Sequence, residues 1–377
     1  MAANSGITRV LIIGGGFSGM TAALELERAG LTVDLVEIDP DWRSYGAGIS
    51  LHGATMRVFQ RIGILDEYLQ KGSATEGVQI RHLATDAVLM TVPTPSVGPG
   101  IPGGGAIMRP VLAGILRDAV RASGVNVRLG ESFAGLDDGP DGVTVSFTDG
   151  SRETYDLVIG ADGLNSATRR AVFPDAPAPR FIGQAVWRAV FPAPPEITCP
   201  TMWIAGGLKA GINPVGDGLA YLFLTEICDR THVEPAHFID RLSGLLAQFP
   251  SPVLTRVRDG LGPDSQIIYR PLDQFLMPRP WYRGRVVLIG DAVHATTPHL
   301  AAGACIGVED AVVLAECIAA STHLPEALDR FETRRWERCR MVVENSGRLA
   351  EIELSGGDKA EHARIMGESM RALAEAI

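Results

Sequence analysis

A short, mostly apolar run, Arg9-Val-Leu-Ile-Ile13, ends directly in Gly14-Gly-Gly16-Phe17-Ser18-Gly19 and leads into Met20 to Ala29, where Met20, Ala23, Leu24 and Leu26 make one apolar face. That order fits a strand, a tight turn and a helix, and little else. Gly30 stops the helix, and Leu31 to Val36 supplies a second strand that closes a βαβ unit. The three glycines have separate tasks. Gly14 makes the bend, Gly16 lets the backbone approach a pyrophosphate at the helix N-terminus, and Gly19 allows the helix to pack closely on the strand. Glu37 ends the second strand at the distance where a carboxylate hydrogen-bonds a ribose hydroxyl. The pattern predicts a dinucleotide site and leaves NAD and FAD both open.

Composition bounds what surrounds this unit. The chain has 377 residues, enough for one large two-part domain or two ordinary ones, and 46% hydrophobic against 21% charged residues describes a globular protein. No uninterrupted apolar stretch reaches the ~18 residues a membrane span needs. With 34 basic and 44 acidic residues the net charge is −10, which gives no general attraction to nucleic acid or anionic lipid. The five cysteines, Cys199, Cys228, Cys305, Cys317 and Cys339, contain no close pair, which excludes a zinc knuckle and a redox dithiol. The histidines show no metal spacing, so no metal is expected. With no basic and apolar leader before Val10, a reducing, cytoplasmic location is expected.

The remaining pattern is α/β with an inserted sheet. Strands are expected at Val125–Leu129, Val143–Phe147, Leu157–Ile159 and Val286–Ile289, and helices at Met56–Gly63, Pro110–Ser123, Val308–Ala320 and from Leu324 onward. Between Phe181 and Tyr269 the chain becomes aromatic and β-branched, broken by Pro and Gly, with one helical piece from Glu234 to Gln248. This predicts a Rossmann-like nucleotide domain from residues 1–77, 103–180 and 268–350. An antiparallel-sheet substrate domain takes 78–102 and 181–267, and a helical tail takes 351–377.

Two later segments carry a resemblance. Asp156-Leu-Val-Ile-Gly-Ala-Asp162-Gly163-Leu-Asn-Ser166-Ala-Thr-Arg169 is similar to the DG motif of the class A flavoprotein monooxygenases, which have the p-hydroxybenzoate hydroxylase fold. Gly284-Arg-Val-Val-Leu-Ile-Gly290-Asp291-Ala-Val-His294-Ala-Thr-Thr-Pro298, with Gly303 and Glu309-Asp310 after it, resembles their GD motif. Weaker echoes are Arg43 before Gly46-Ala-Gly48-Ile, Arg109 after the glycine-rich stretch, and Phe331-Glu-Thr-Arg-Arg-Trp-Glu-Arg338.

The resemblance implies bound FAD. Gly14, Gly16, Phe17, Ser18, Gly19 and Glu37 would form the nucleotide turn. Arg43, Gly48, Arg109 and Asp162 would lie near the phosphates and adenosine, Gly290 and Asp291 at the ribitol, and Pro298, Gly303 and Ala304 along the isoalloxazine ring. Ala302 and Cys305 depart from the family's usual residues beside Gly303. Cys305 reads as a buried small hydrophobe and His294 as structural.

No second glycine fingerprint exists for a dedicated NAD(P)H domain, which fits NADH or NADPH binding transiently. In the resembled family, reduced FAD and O2 give a C4a-hydroperoxide that hydroxylates an electron-rich ring. The expected partners are a small aromatic or N-heteroaromatic substrate and O2, with no nucleic acid or membrane, in a monomer or homodimer. The Trp187-Arg188 pair resembles one in the salicylate and urate hydroxylase branches, which makes Arg188 a catalytic candidate beside His299, after Pro298, and Tyr221, on a strand. The alternative is a tailoring enzyme or reductase of the same fold acting on a larger polyketide or polyprenyl product.

Overall fold

The computed structural model describes residues 6–205 and 207–377. Its centre is a six-stranded sheet in the order Tyr282–Arg283, Val286–Leu288, Leu157–Gly160, Arg9–Ile13, Thr32–Glu37 and Asn126–Leu129. All its pairings are parallel except the edge hairpin of Tyr282–Arg283 with Val286–Leu288. Buried on both faces, these strands are near-continuous Val, Leu and Ile, as parallel sheets require. Helices Phe17–Arg28, Arg109–Ala122 and Gly303–Ala320 pack together beside it. The antiparallel strands Phe133–Gly139, Gly142–Phe147 and Arg152–Tyr155 join the same core through Val143, Val145, Phe147 and Tyr155.

A seven-stranded sheet forms the second body, in the order Ile268–Gln274, Arg180–Pro192, Leu219–Ile227, Leu208–Gly216, Thr201–Ala205, Gly77–Arg81 and Val88–Pro93. Side chains alternate across it. Trp187, Leu222 and Leu224 point to helices Phe238–Leu246 and Pro252–Asp259 and form a core with them. Val186, Arg188, Tyr221, Phe223 and Thr225 point the other way, into a cleft against the nucleotide domain.

Several sequence expectations change. The helical piece Glu234–Gln248 begins as a tight turn at Pro235–His237 and is regular only over Phe238–Leu246. Helix Pro252–Asp259 was not foreseen, although Ser251 before Pro252 is an N-cap signal and accepts from the Leu254 N–H at 3.1 Å. Strand Ile268–Gln274 pairs with Arg180–Pro192, so the expected boundary at 268 cuts through the second sheet. The expected boundary at 350 falls inside one continuous helix, Leu324–Ser355. No helix among the described residues is long and apolar enough to cross a membrane.

Candidate active site

The turn after the first strand divides its glycines by geometry. Gly14 has φ +109°, and a Cβ there would meet the Ala161 carbonyl oxygen at 2.6 Å. A Cβ on Gly19 would lie 2.0 Å from the Gly14 carbonyl oxygen, so both positions are fixed by packing. Gly16 differs: a Cβ there meets nothing within 4 Å and would project into open space. That space belongs to a cleft of about 390 Å³ between the two bodies.

Three helices begin at its rim. The N-terminal residues of Phe17–Arg28, Arg109–Ala122 and Gly303–Ala320 line the cleft, and none of the three has a side-chain cap or an acidic residue in its first turn. Their free N–H groups and positive dipole ends favour an anion between them. Ala301, with φ 49°, turns the loop after Pro298–Leu300 into the third of these helices.

The cations agree with that polarity. Arg109 stacks on the Phe17 ring at 5.3 Å and has no ion-pair partner among the described residues. Burial lowers its pKa and Arg188 lowers it further, against the raising effect of Asp291. Arg188 likewise makes no side-chain hydrogen bond or ion pair among the described residues; burial lowers its pKa, and nearby Arg270 adds to that while Tyr221 opposes it. Arg270 is opposite Val186 on the neighbouring strand, a diagonal neighbour of Arg188. It was missed in the sequence because no motif marks it. Asp291 is exposed to the cleft, and the protein packed around that cleft raises its pKa, with His294 and Arg109 opposing.

Other expected site residues fall into place unevenly. Phe17, Ser18, Gly48, Pro298, Gly303 and Ala304 line the cleft. The Ser18 hydroxyl also fills the gap where Cβ atoms on Gly290 or Gly307 would stand, so Gly290 serves packing. Glu37 and Arg43 line a smaller adjoining hollow of about 130 Å³ with Trp42 and Arg109. Glu37 accepts from the N–H groups of Gly15 at 2.8 Å and Asp39 at 2.9 Å. Arg43 is paired with Asp39 at 3.0 Å and Asp41 at 3.3 Å, so its charge is already balanced.

Asp162 is a correction. Both its carboxylate oxygens accept from the start of helix Ala167–Val172: Ser166 Oγ at 2.5 Å, Thr168 N at 2.9 Å and Thr168 Oγ1 at 3.0 Å. It caps that helix, and its neighbours Ala161 and Gly163 line the cleft instead.

His299 lines the cleft from a buried position. The ring is 1% exposed, with Nδ1 2.8 Å from Thr297 Oγ1 and Nε2 3.2 Å from Glu353 Oε2, off the line a hydrogen bond requires. Burial lowers its pKa against the raising effect of Glu353. Its Nε2, at the wall of the cleft, has no hydrogen-bond partner among the described residues. Tyr221 lies over Gly48, and its hydroxyl is 2.8 Å from Asn213 Nδ2 and 2.9 Å from Ser50 Oγ, so the ring shapes the wall.

Behind the cleft, His294 is fully buried 2.6 Å from Asp310, which also accepts from Arg335 Nε at 2.7 Å. Cys339 completes a trio of metal-ligand type, but the Arg335 guanidinium already supplies the positive charge there. Cys305 is buried, and burial pushes its thiol up to about 11.

Residues 7–210 and 271–346 match the model of the FAD binding domain family. The chain belongs to the class A flavin monooxygenases. It is 32% identical to the aurachin C monooxygenase/isomerase of Stigmatella aurantiaca over 357 residues, covering 92% of this chain and 90% of the relative. It is also 32% identical to the 2-heptyl-3-hydroxy-4(1H)-quinolone synthase of Pseudomonas aeruginosa, covering 91% and 90%. In fold it resembles Klebsiella pneumoniae HpxO complexed with FAD and uric acid, with TM-score 0.81 and 24% identity over 99% of this chain and 94% of that one.

The enzyme is therefore a flavin-dependent monooxygenase with FAD as cofactor, and its own residues fit that group. Gly16 leaves room for backbone approach, Arg109 is an unbalanced cation at a helix N-terminus, and the buried Thr296 hydroxyl lining the cleft has no partner.

Proposed function

We propose that this enzyme uses NADH or NADPH and O2 to hydroxylate a small aromatic or N-heteroaromatic compound. The observation that carries the reading is Arg188: a guanidinium without a partner, beside Phe223, on the sheet face opposite the cofactor loops. Val186, Phe223 and Leu272 give that face an apolar strip on which a ring can lie. An unneutralised arginine next to it suits a phenolate, enolate or carboxylate, since a charged acceptor restores what burial removed.

Bound FAD supplies the oxygen-transfer chemistry. Gly14, Gly16 and Gly19 form the turn for its pyrophosphate, with Arg109 balancing charge. Glu37 and Arg43, in the smaller hollow, would hold the adenosine end, and Asp291, Pro298, Gly303 and Ala304, in the cleft, would lie along the ring. Arg188 holds the substrate oxygen as an anion, which raises electron density on the ring. Tyr221, fixed by Ser50 and Asn213, keeps the wall in register. The loop from Thr296 to Ala304 and the sheet face together keep water from the reacting atoms.

The test is turnover under labelled oxygen gas. The yellow holoenzyme is expected to oxidise NADH or NADPH faster when a phenol or hydroxypyridine from a panel is added, and the product to carry one labelled oxygen. Undiminished turnover without oxygen would instead indicate the reductase alternative, and an unlabelled product across the whole panel would overturn the hydroxylase reading.

A further inference from the structure

The far end of the same sheet face carries a cation that the reading above does not use. Lys209, one of only three lysines in the chain, is on strand Leu208–Gly216 and lines the cleft. Its ammonium donates to Glu353 Oε1 at 2.7 Å and to no other group among the described residues. An ammonium has three donors, so two remain. The side chain is 16% exposed, which leaves the cleft as the place where those donors find acceptors.

Glu353 is not a counter-ion for Lys209 alone. His362 Nε2 is 3.3 Å from its Oε1, while His299 Nε2 at 3.2 Å and Gln184 Nε2 at 3.5 Å approach its Oε2. Burial alone would raise its pKa, but His299, His362 and Lys209 outweigh that and hold the carboxyl well below the usual range. Glu353 therefore stays an anion and fixes where the ammonium points. A half-buried ion pair of this kind adds little stability by itself, and a lysine beside Val186 and Phe223 has a desolvation cost that a leucine would not.

The register sets the spacing. Arg188 is opposite Phe223, Phe223 is opposite Gly211, and Lys209 is two residues from Gly211 on the same face. Two strand spacings and two residues of rise separate the Arg188 and Lys209 backbones by about 12 Å. Both long side chains reach inward from there, leaving room for one ring and a short arm.

We infer that Lys209 is a second substrate anchor, taking a carboxylate or enolate oxygen at the end of the substrate remote from Arg188, with Glu353 as its positioning residue. The inference rests on the hydroxylase reading of the cleft and adds a substrate class: an elongated aromatic acid with acceptor oxygens at both ends.

The experiment is an equilibrium titration of the FAD-loaded, oxidised enzyme, followed by flavin absorbance. Its probes are p-coumarate and p-coumaryl alcohol, which share a skeleton and differ in the carboxylate. The wild type is expected to prefer the acid. Lys209→Met weakens p-coumarate binding by about tenfold and leaves the alcohol unchanged, as loss of one charge-assisted hydrogen bond requires. Lys209→Arg keeps the preference. Equal weakening of both probes, no weakening of either, or a wild type that binds neither or does not discriminate would each overturn the inference. No reductant is present, so this result is independent of whether the product is hydroxylated, and failure of the labelled-oxygen test would not be mistaken for it.

Discussion

Two groups of enclosed arginines meet opposite fates in this molecule. On the flank of helix Gly303–Ala320, Arg335 donates to Asp310 at 2.7 Å and to the Ile306 carbonyl at 3.0 Å and stands 2.9 Å from Glu309. Arg338 grips Glu309 through two bonds of 2.8 Å. Across the cleft that this helix borders, Arg109, at the start of Arg109–Ala122, and Arg188, on strand Arg180–Pro192, have no acid bonded to either among the described residues. The first group is complete within the chain and holds the cofactor loop to the C-terminal helix. The second is incomplete among the described residues, and the proposed function gives it ligands as partners. A balanced buried charge serves the scaffold, whereas an unbalanced one beside a cavity serves binding.

Breaking the balanced group has the largest expected effect. Arg335→Met takes one buried cation from both Asp310 and Glu309, leaving them only His294 and Arg338, and thermal unfolding should report a loss of about 3 kcal/mol; an unchanged melting temperature would refute the structural role. Arg188→Met should do the reverse. Stability is expected to hold or rise, while kcat/KM for an anionic substrate falls by about a hundredfold. A melting temperature lowered as far as in Arg335→Met would erase the distinction.

The balanced group also predicts a pH response. Burial would raise the Asp310 pKa, but His294 and Arg335 outweigh it and hold the carboxyl at about 2, below its ordinary 3.8. Its contribution to stability is present above 3.8 and lost as pH falls through about 2. For His294, burial lowers the pKa, yet Asp310 raises it well above 6.5, so that contribution is full below 6.5 and lost as pH rises through the raised value. Melting temperatures measured across acid pH should fall through the lower window, and Asp310→Asn should flatten that fall. The smallest effect belongs to Tyr221→Phe, which removes a hydroxyl bonded to Ser50 and Asn213. About 1 kcal/mol of stability should be lost, and an unchanged unfolding curve would show that the hydroxyl is solvated instead.

The nucleotide domain was legible because its signals are local. The run ending at Ile13, the glycines and Glu37 lie within one βαβ unit, and the observed strands and helix differ from expectation by a few residues at their ends. The DG and GD segments were legible through resemblance. Asp162 was located correctly but misread, since a motif shows where a carboxylate stands and not which N–H groups consume it. The strand Ile268–Gln274, which brings Leu272 to the cleft, was missed as part of the second sheet because its pairing partner lies roughly eighty residues earlier and leaves no mark in its own composition. The place of His299 in the cleft follows from its position after Pro298, whereas its neighbour Glu353, on helix Leu324–Ser355, leaves no mark in the local sequence.

That helix also has a consequence for the order of folding. Glu353 reaches Lys209 across 144 positions of chain, so the cleft wall at Lys209 is finished by a residue made long after the strand it completes. During synthesis the glycine turn and its helix can form early from neighbouring residues, whereas the Lys209 ammonium has no counter-ion until helix Leu324–Ser355 docks. The glycine turn is thus built from contacts formed early, and the Lys209 end of the cleft waits for a long-range closure of the chain.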